Sequence, residues 1–167
     1  MPGSSVKSSF QFKAYKVDKI SFFSKPDINV LARMNSIPTE EMKLAFAMRQ
    51  PIYFNSEKIY VGGFDILFQV LAPSGESDPV SESKEDALVR LELGIAGVFT
   101  VEDDRLSKEL EEGLVKIHIP AILMPYARSA MTSLLANAGF GGVIFPLVNI
   151  HNIAKEQMQD KTIQIIE

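Results

Sequence analysis

Side chains able to carry out covalent chemistry are few in this chain of 167 residues, and their spacing gives them no common site. There is no cysteine, which excludes a disulfide framework and any cysteine-based metal site. The two histidines, His118 and His151, lie in apolar segments that flank helices. A zinc pair asks for closer spacing on one helix and for further ligands, so both read as structural. The neighbouring acids Asp103-Asp104 and Glu111-Glu112 hold acid–base groups, but adjacent residues on a helix point apart, and such a run is a solvated face. Ser129 and Ser133 are helix-surface residues with no Gly-x-Ser-x-Gly elbow around them. Gly139-Phe140-Gly141-Gly142 lacks the Gly-Lys-Ser/Thr that opens a phosphate-binding helix; an apolar run follows instead. The pattern argues against an enzyme, and no cofactor or metal is expected.

The bulk composition sets wider bounds. Apolar residues make up 46% and charged residues 23%, ordinary values for a soluble globular protein. The length suits one domain with a real core, taken as residues 9–167 after a flexible polar stretch at 1–8. Net charge is −4 and the lysines and arginines are interspersed with acids, so no basic patch offers itself to nucleic acid. Met1-Pro2-Gly3-Ser4-Ser5 has no hydrophobic signal core, and the longest apolar stretch, Gly142 to Val148, falls far short of the about 20 residues that cross a bilayer. A cytoplasmic protein without membrane insertion is the expectation.

The elements that must position any site change character along the chain. Phe10, Phe12 and Ala14 begin an alternation that breaks near Asp18-Lys19 and resumes at Ile20 and Phe22, which predicts a strand with a bulge where the apolar side changes face. Ser24-Lys25-Pro26-Asp27 ends it, and residues 28–39 read as a connection closed by Ile37-Pro38. Met42, Leu44, Phe46 and Met48 alternate with Lys43, Ala45, Ala47 and Arg49. Helix formers abound there, and Thr39-Glu40-Glu41-Met42 resembles a loose helix start, but the unbroken period of two favours a strand. Residues 59–71 form a third strand with Gly62-Gly63 as a bulge, and a polar hairpin loop follows at 72–84. Ala87, Val89, Leu91, Leu93, Ile95 and Val98-Phe99 make the fourth, with Leu88, Arg90, Glu92 and Gly94 on its other face. Connections this short join antiparallel strands.

Beyond Thr100, Asp103 to Gly113 reads as a short solvated turn. A first helix follows with Ala127, Met131, Leu134, Leu135 and Ala138 on its apolar face; since proline is tolerated near a helix N-terminus, it starts near Pro120 or Pro125. A second helix, capped by Asn149 or Asn152, carries Ile150, Ile153, Ala154 and Met158. The sum is an α+β domain: a four-stranded antiparallel sheet with two C-terminal helices on one face. Residues Thr162 to Ile166 are unexpectedly apolar and either dock on a neighbour or extend the core.

Two blocks in this second half carry a resemblance. Ile122-Leu123-Met124-Pro125-Tyr126-Ala127-Arg128, followed after the glycine-rich crossing by Pro146-Leu147-Val148-Asn149, resembles the I-L-F-P-Y-A-R and A-P-V-N blocks of the SecB family of bacterial protein-export chaperones. Phe10-Gln11-Phe12 with Ile20-Ser21-Phe22 is similar to that family's F-Q-I and I-S-F, and Gly97-Val98-Phe99 to its G-I-F. The resemblance spans about residues 10 to 158 in one order, the middle by strand pattern only.

It implies a holdase that binds unfolded secretory precursors along apolar grooves, assembles as a dimer or dimer of dimers, and hands clients to the translocase ATPase SecA without cofactor or catalysis. The seven methionines and eleven phenylalanines suit an adaptable binding surface. Phe23, Met42, Leu44, Phe46, Phe140, Ile144 and Phe145 are the candidate groove lining, and sheet-edge backbone could pair with an extended client. The SecA-docking acids of the family fall on Lys19, Phe23 and Glu92, of which Glu92 alone is acidic here. Electrostatic docking needs summed complementary charge, so a second reading stands beside the first: a SecB-like protein dedicated to one partner, such as an antitoxin. The acids of the 72–84 loop and its border, Glu76, Asp78, Glu82 and Glu85, offer another acidic surface.

Overall fold

The computed structural model describes residues 8–71 and 87–167; the predicted hairpin loop, and all but Ser8 of the predicted flexible start, lie outside them. Six strands form one mixed sheet, rather than the four antiparallel strands expected. They are β1 (Phe10–Ser24), β2 (Met42–Met48), β3 (Ile52–Phe54), β4 (Ile59–Leu71), β5 (Ala87–Val101) and β6 (Gln164–Ile166). β5 joins β1 to β4 in antiparallel register, while β2 and β3 share the other flank of β4, also antiparallel. β6 runs parallel to β3 at the outside. β3 and β6 are 3 residues each, too short to show an alternation, which is why the sequence pattern does not announce them.

Every expected long strand is present, with three differences. First, β1 has two register shifts, at Phe12/Ala14 and Val17/Lys19. Each inserted residue changes the parity of the apolar positions and restores their side. Phe12, Tyr15, Val17, Ile20 and Phe22 therefore stay on one face, and the predicted change of face does not occur. Second, Gly62 and Gly63 are not a bulge but pair regularly with Gly97 and Ala96. Their value is close approach: a Cβ on Gly63 would meet the Ile95 carbonyl oxygen at 2.1 Å, and one on Gly62 would press on Ile119 at 3.0 Å. Third, the connection after β1 holds a one-turn helix, α1 (Ile28–Leu31), whose N-cap Asp27 accepts from the Asn29 amide at 2.8 Å. Thr39–Glu41 makes a single 3-10 turn before β2, so the helix-start signal and the strand signal there are both realised.

Helical structure begins earlier than expected. Ser107 caps α2 (Lys108–Leu110), which runs without a break through a π-helical stretch, Glu111–His118, into α3 (Ile119–Asn137). The acidic 103–113 region is thus a solvated turn only before Ser107. Pro120 lies just past the π stretch, where Ile119 N–H reaches back to the Leu114 carbonyl; the wider turn makes room for a ring that an α-helix interior rejects. Pro125 is interior to α3, so the Pro-Tyr-Ala-Arg block sits in the middle of the helix and does not open it. α4 (Ile150–Met158) is capped by Asn149, whose Oδ1 accepts from the Asn152 amide at 3.1 Å.

Both helices lie on the sheet face formed by Tyr60, Phe64, Ile66, Phe68 and Val70 of β4 with Leu91, Leu93, Ile95 and Phe99 of β5. All nine are buried and belong to one core. The other face of the sheet carries Asp65, Gln69, Arg90 and Glu92, and no helix among the described residues lies against it.

Candidate functional site

The seven candidate groove residues part into three groups. Met42, Leu44 and Phe46 project from β2 to the helix-covered face and are half-buried, registered beside Val70, Phe68 and Ile66. Phe140 and Phe145 are core: 3% and 5% exposed, with Phe145 edge-on to Phe68 at 5.2 Å. Their neighbour Ile144 is 81% exposed, and Leu147 in the same crossing is 95% exposed. The crossing therefore buries Phe140, Val143 and Phe145, the last against Phe68 of β4, and holds Ile144 and Leu147 out. Phe23, 49% exposed, pairs with Arg90 and belongs to the opposite face, apart from the rest.

Other exposed apolar side chains escape sequence reasoning. Tyr15, Ile20 and Phe22 on β1, Ile28 and Leu31 on α1, and Ile122 and Tyr126 on α3 are all exposed. Ile20 and Phe22 were visible as strand residues; that the helices stop short of them was not. Tyr126 stacks on Tyr15 at 4.5 Å and on Phe12 at 5.5 Å, which ties the middle of α3 to β1.

The two sequence blocks meet in space. Ala127 is fully buried, and Arg128 donates from Nη2 to the Pro146 carbonyl at 3.3 Å. Val148 is half-buried beside the Asn149 cap. The blocks belong together because one helix side chain holds the start of the other block, so the crossing leaves α3 and enters α4 along a set path.

The open sheet face is an ion-pair network. Arg49 bridges Asp18 and Asp65 at 2.7 and 2.8 Å, the first of these aimed by the bulge in β1. Gly94 lies beneath, where a Cβ would come within 2.2 Å of Arg49 Nη2. Glu92 accepts from Arg90 at 2.6 Å and pairs with Lys19 at 3.0 Å. These hydrogen bonds hold its carboxyl below the ordinary value of 4.5, Arg90 first and Lys19 second. Hydrogen bonding to Arg49 likewise lowers Asp18. Every carboxylate of the network is matched by a cation.

Behind β4 lies a buried polar cluster. Glu111, 4% exposed, accepts from Tyr60 at 2.8 Å and from Arg105 Nη2 at 2.9 Å, and the Leu106 amide donates to the Tyr60 hydroxyl at 3.0 Å. Burial, and then the bond to Glu111, push the Tyr60 phenol well above its ordinary value. The cluster pins the start of the long helix to the sheet.

The profile of a family described as preprotein translocase subunit SecB matches residues 5–161. The chain belongs to the SecB family. A curated relative, the protein-export protein SecB of Dechloromonas aromatica, is 30% identical over 77 residues. That match covers 46% of this chain and 49% of the relative, so the chain spans about half the length of the curated relative it matches. Among solved structures, the SecB-like chaperone of Mycobacterium tuberculosis, in complex with an antitoxin peptide, matches with a TM-score of 0.57 at 12% identity, covering 83% of this chain and 90% of that one. At that identity the likeness is one of fold.

Set in the SecB family, the open face is the informative departure. Lys19 and Phe23 stand where the resemblance places acids, and the remaining acid, Glu92, is bound to Lys19 itself. No helix among the described residues is long and apolar enough to cross a membrane.

Proposed function

We propose that this SecB-family chain is a holdase that keeps unfolded polypeptides, secretory precursors among them, from folding before they are delivered. One observation carries the reading: a chain with a well-formed core leaves Met42, Leu44 and Phe46 half-buried and holds Ile144 and Leu147 at 81% and 95% exposure. Burying such side chains is worth about 1.5–3 kcal/mol each, so a surface that leaves them open is built to have them covered by something else. Phe140 and Phe145 are core and do not line that surface. The exposed apolar band of Tyr15, Ile20, Phe22, Ile122 and Tyr126 is where copies of the chain associate. Assembly in turn strings several such surfaces along one client, which raises avidity without new contacts.

The test is a refolding assay in which an unfolded secretory precursor is diluted from denaturant with and without the protein. Arrest of folding at stoichiometric amounts, relieved by a second unfolded client, is the expected result; unimpeded refolding at excess protein rules the reading out.

The neutralised Glu92 network favours a second reading, a SecB-like protein serving one dedicated partner without SecA. The fold neighbour in complex with an antitoxin peptide fits it. Capture from the source lysate separates the two readings: one dominant protein supports the dedicated partner, and a broad set of clients supports the general holdase.

A further inference from the structure

β2 and β3 together form one flank of the sheet, and the chain itself covers most of it. The Gln157 side-chain amide accepts from the Met48 N–H at 2.8 Å and donates to the Phe46 carbonyl at 2.8 Å. Bonding to the two residues either side of Ala47 is what one residue of a parallel neighbouring strand does, so the carboxamide stands in for a peptide group. Farther along, Gln50 donates to the Thr162 carbonyl at 3.0 Å, Gln164 N–H to the Pro51 carbonyl at 2.9 Å, and Asn55 N–H to the Ile166 carbonyl at 2.8 Å. β6 completes the parallel ladder with β3 between them.

The Gln157 bonds also establish that the backbone groups of Phe46 and Met48 point outward, away from β4. In a strand that orientation repeats at every second residue, so Leu44 shares it. Residues 161–167 thus lie on this flank as an extended strand of composition Lys-Thr-Ile-Gln-Ile-Ile-Glu. They lie on it lightly: Gln164, Ile165 and Ile166 are exposed, and Ile163 alone packs against the core. A segment with so few apolar contacts opens at low free energy.

We propose that this flank is a strand-docking site for extended apolar segments of client polypeptides, and that residues 161–167 are its resident occupant, displaced when a client binds. The proposal rests on the holdase reading and deepens it. The resident strand displays what the site takes: an extended backbone in parallel register, carrying Ile163 and Ile165 on alternate residues. Gln157 marks where the chain's own groups begin to cover this flank, at Phe46 and Met48.

The experiment measures binding of a labelled, permanently unfolded polypeptide (reduced, carboxymethylated α-lactalbumin) to the full chain, to Gln164→Pro, and to a chain ending at Asp160. Gln164→Pro removes the amide that bonds the Pro51 carbonyl while changing a side chain that is itself exposed, so it guards against a truncation that fails to fold. Both variants are expected to bind about tenfold tighter, the gain when a competent state populated roughly one-tenth of the time becomes the only state. Hydrogen exchange of the 160–167 peptide in the full chain is expected to accelerate on adding the polypeptide. If the full chain binds and neither variant gains, with exchange unchanged, the strap proposal is wrong and the holdase reading survives. If no form binds at all, the holdase reading fails and takes the proposal with it.

Discussion

The two flanks of the sheet meet the same physical problem and answer it differently. An edge strand presents unpaired amides and carbonyls that invite another strand. β1 is 15 residues long and, among the described residues, pairs with β5 alone, which leaves its outer side open along with Tyr15, Ile20 and Phe22. Two bulges and the lysines 13, 16 and 19 break its regularity, which limits indiscriminate pairing while leaving the aromatics exposed. The β2–β3 flank is instead lined by Gln157 and β6, with backbone partners from Phe46 to Asn55. On the proposed reading, β1 can stay open because its bulges and charges limit what pairs with it, whereas a flank that takes extended clients of many sequences has no such selection and is kept filled by a strand of the chain's own.

The largest effect should come from the open flank. A double substitution Tyr15→Asp with Ile20→Asp places two charges in the exposed apolar band proposed for self-association and is expected to weaken it by about 100-fold or more, given hot-spot losses of about 2 kcal/mol each. Light scattering across a dilution series reads it; an unchanged mass would move the association surface elsewhere.

Next is the cluster behind the strapped flank. Glu111→Ala leaves Arg105 and Tyr60 without their shared carboxylate and should cost about 3 kcal/mol in urea unfolding. Because Tyr60 stacks on Tyr53 of β3 at 4.6 Å, amide exchange should quicken in β3 and β6 more than in β1.

Smaller again is Gln157→Ala. It removes two hydrogen bonds, one part-buried and one exposed, worth about 1 kcal/mol together once water replaces them, and should selectively speed exchange at the Met48 amide. Equal exchange in both proteins would mean the carboxamide does not hold the edge.

The smallest concerns the open face. Asp18 and Glu92 are held below their ordinary values of 3.8 and 4.5, so the stability they confer is present above those values. It is lost as pH falls through the lower, folded-state values. Glu92→Gln should flatten that acid limb of the denaturation midpoint while leaving neutral pH nearly unchanged. An unaltered limb would discount the network.

Much of this architecture was legible beforehand, and what was missed has a common cause. β2, β4 and β5 alternate over several residues, long enough for the period to stand out. β3 and β6 do not, and their pairing depends on residues more than a hundred positions apart. The helix start at Ser107 was hidden because prolines at 120 and 125 signal a beginning locally, whereas a π stretch and tertiary contacts carry the helix through them. The apolar pattern marks Met42, Leu44, Phe46 and Ile144, which stay half-buried or exposed, and equally Phe140 and Phe145, which are core, since an apolar side chain looks alike in sequence whether its partner is self or client.

The long strands, the two C-terminal helices, the family and the lack of thiols follow from the sequence alone, because they rest on local periodicity, motif order and residue identity. Which apolar side chains stay exposed, which acids are neutralised, and which edge is filled by the chain's own strand emerge only with the fold. Those depend on what comes to lie opposite each residue, and burial and pairing are properties of neighbours in space.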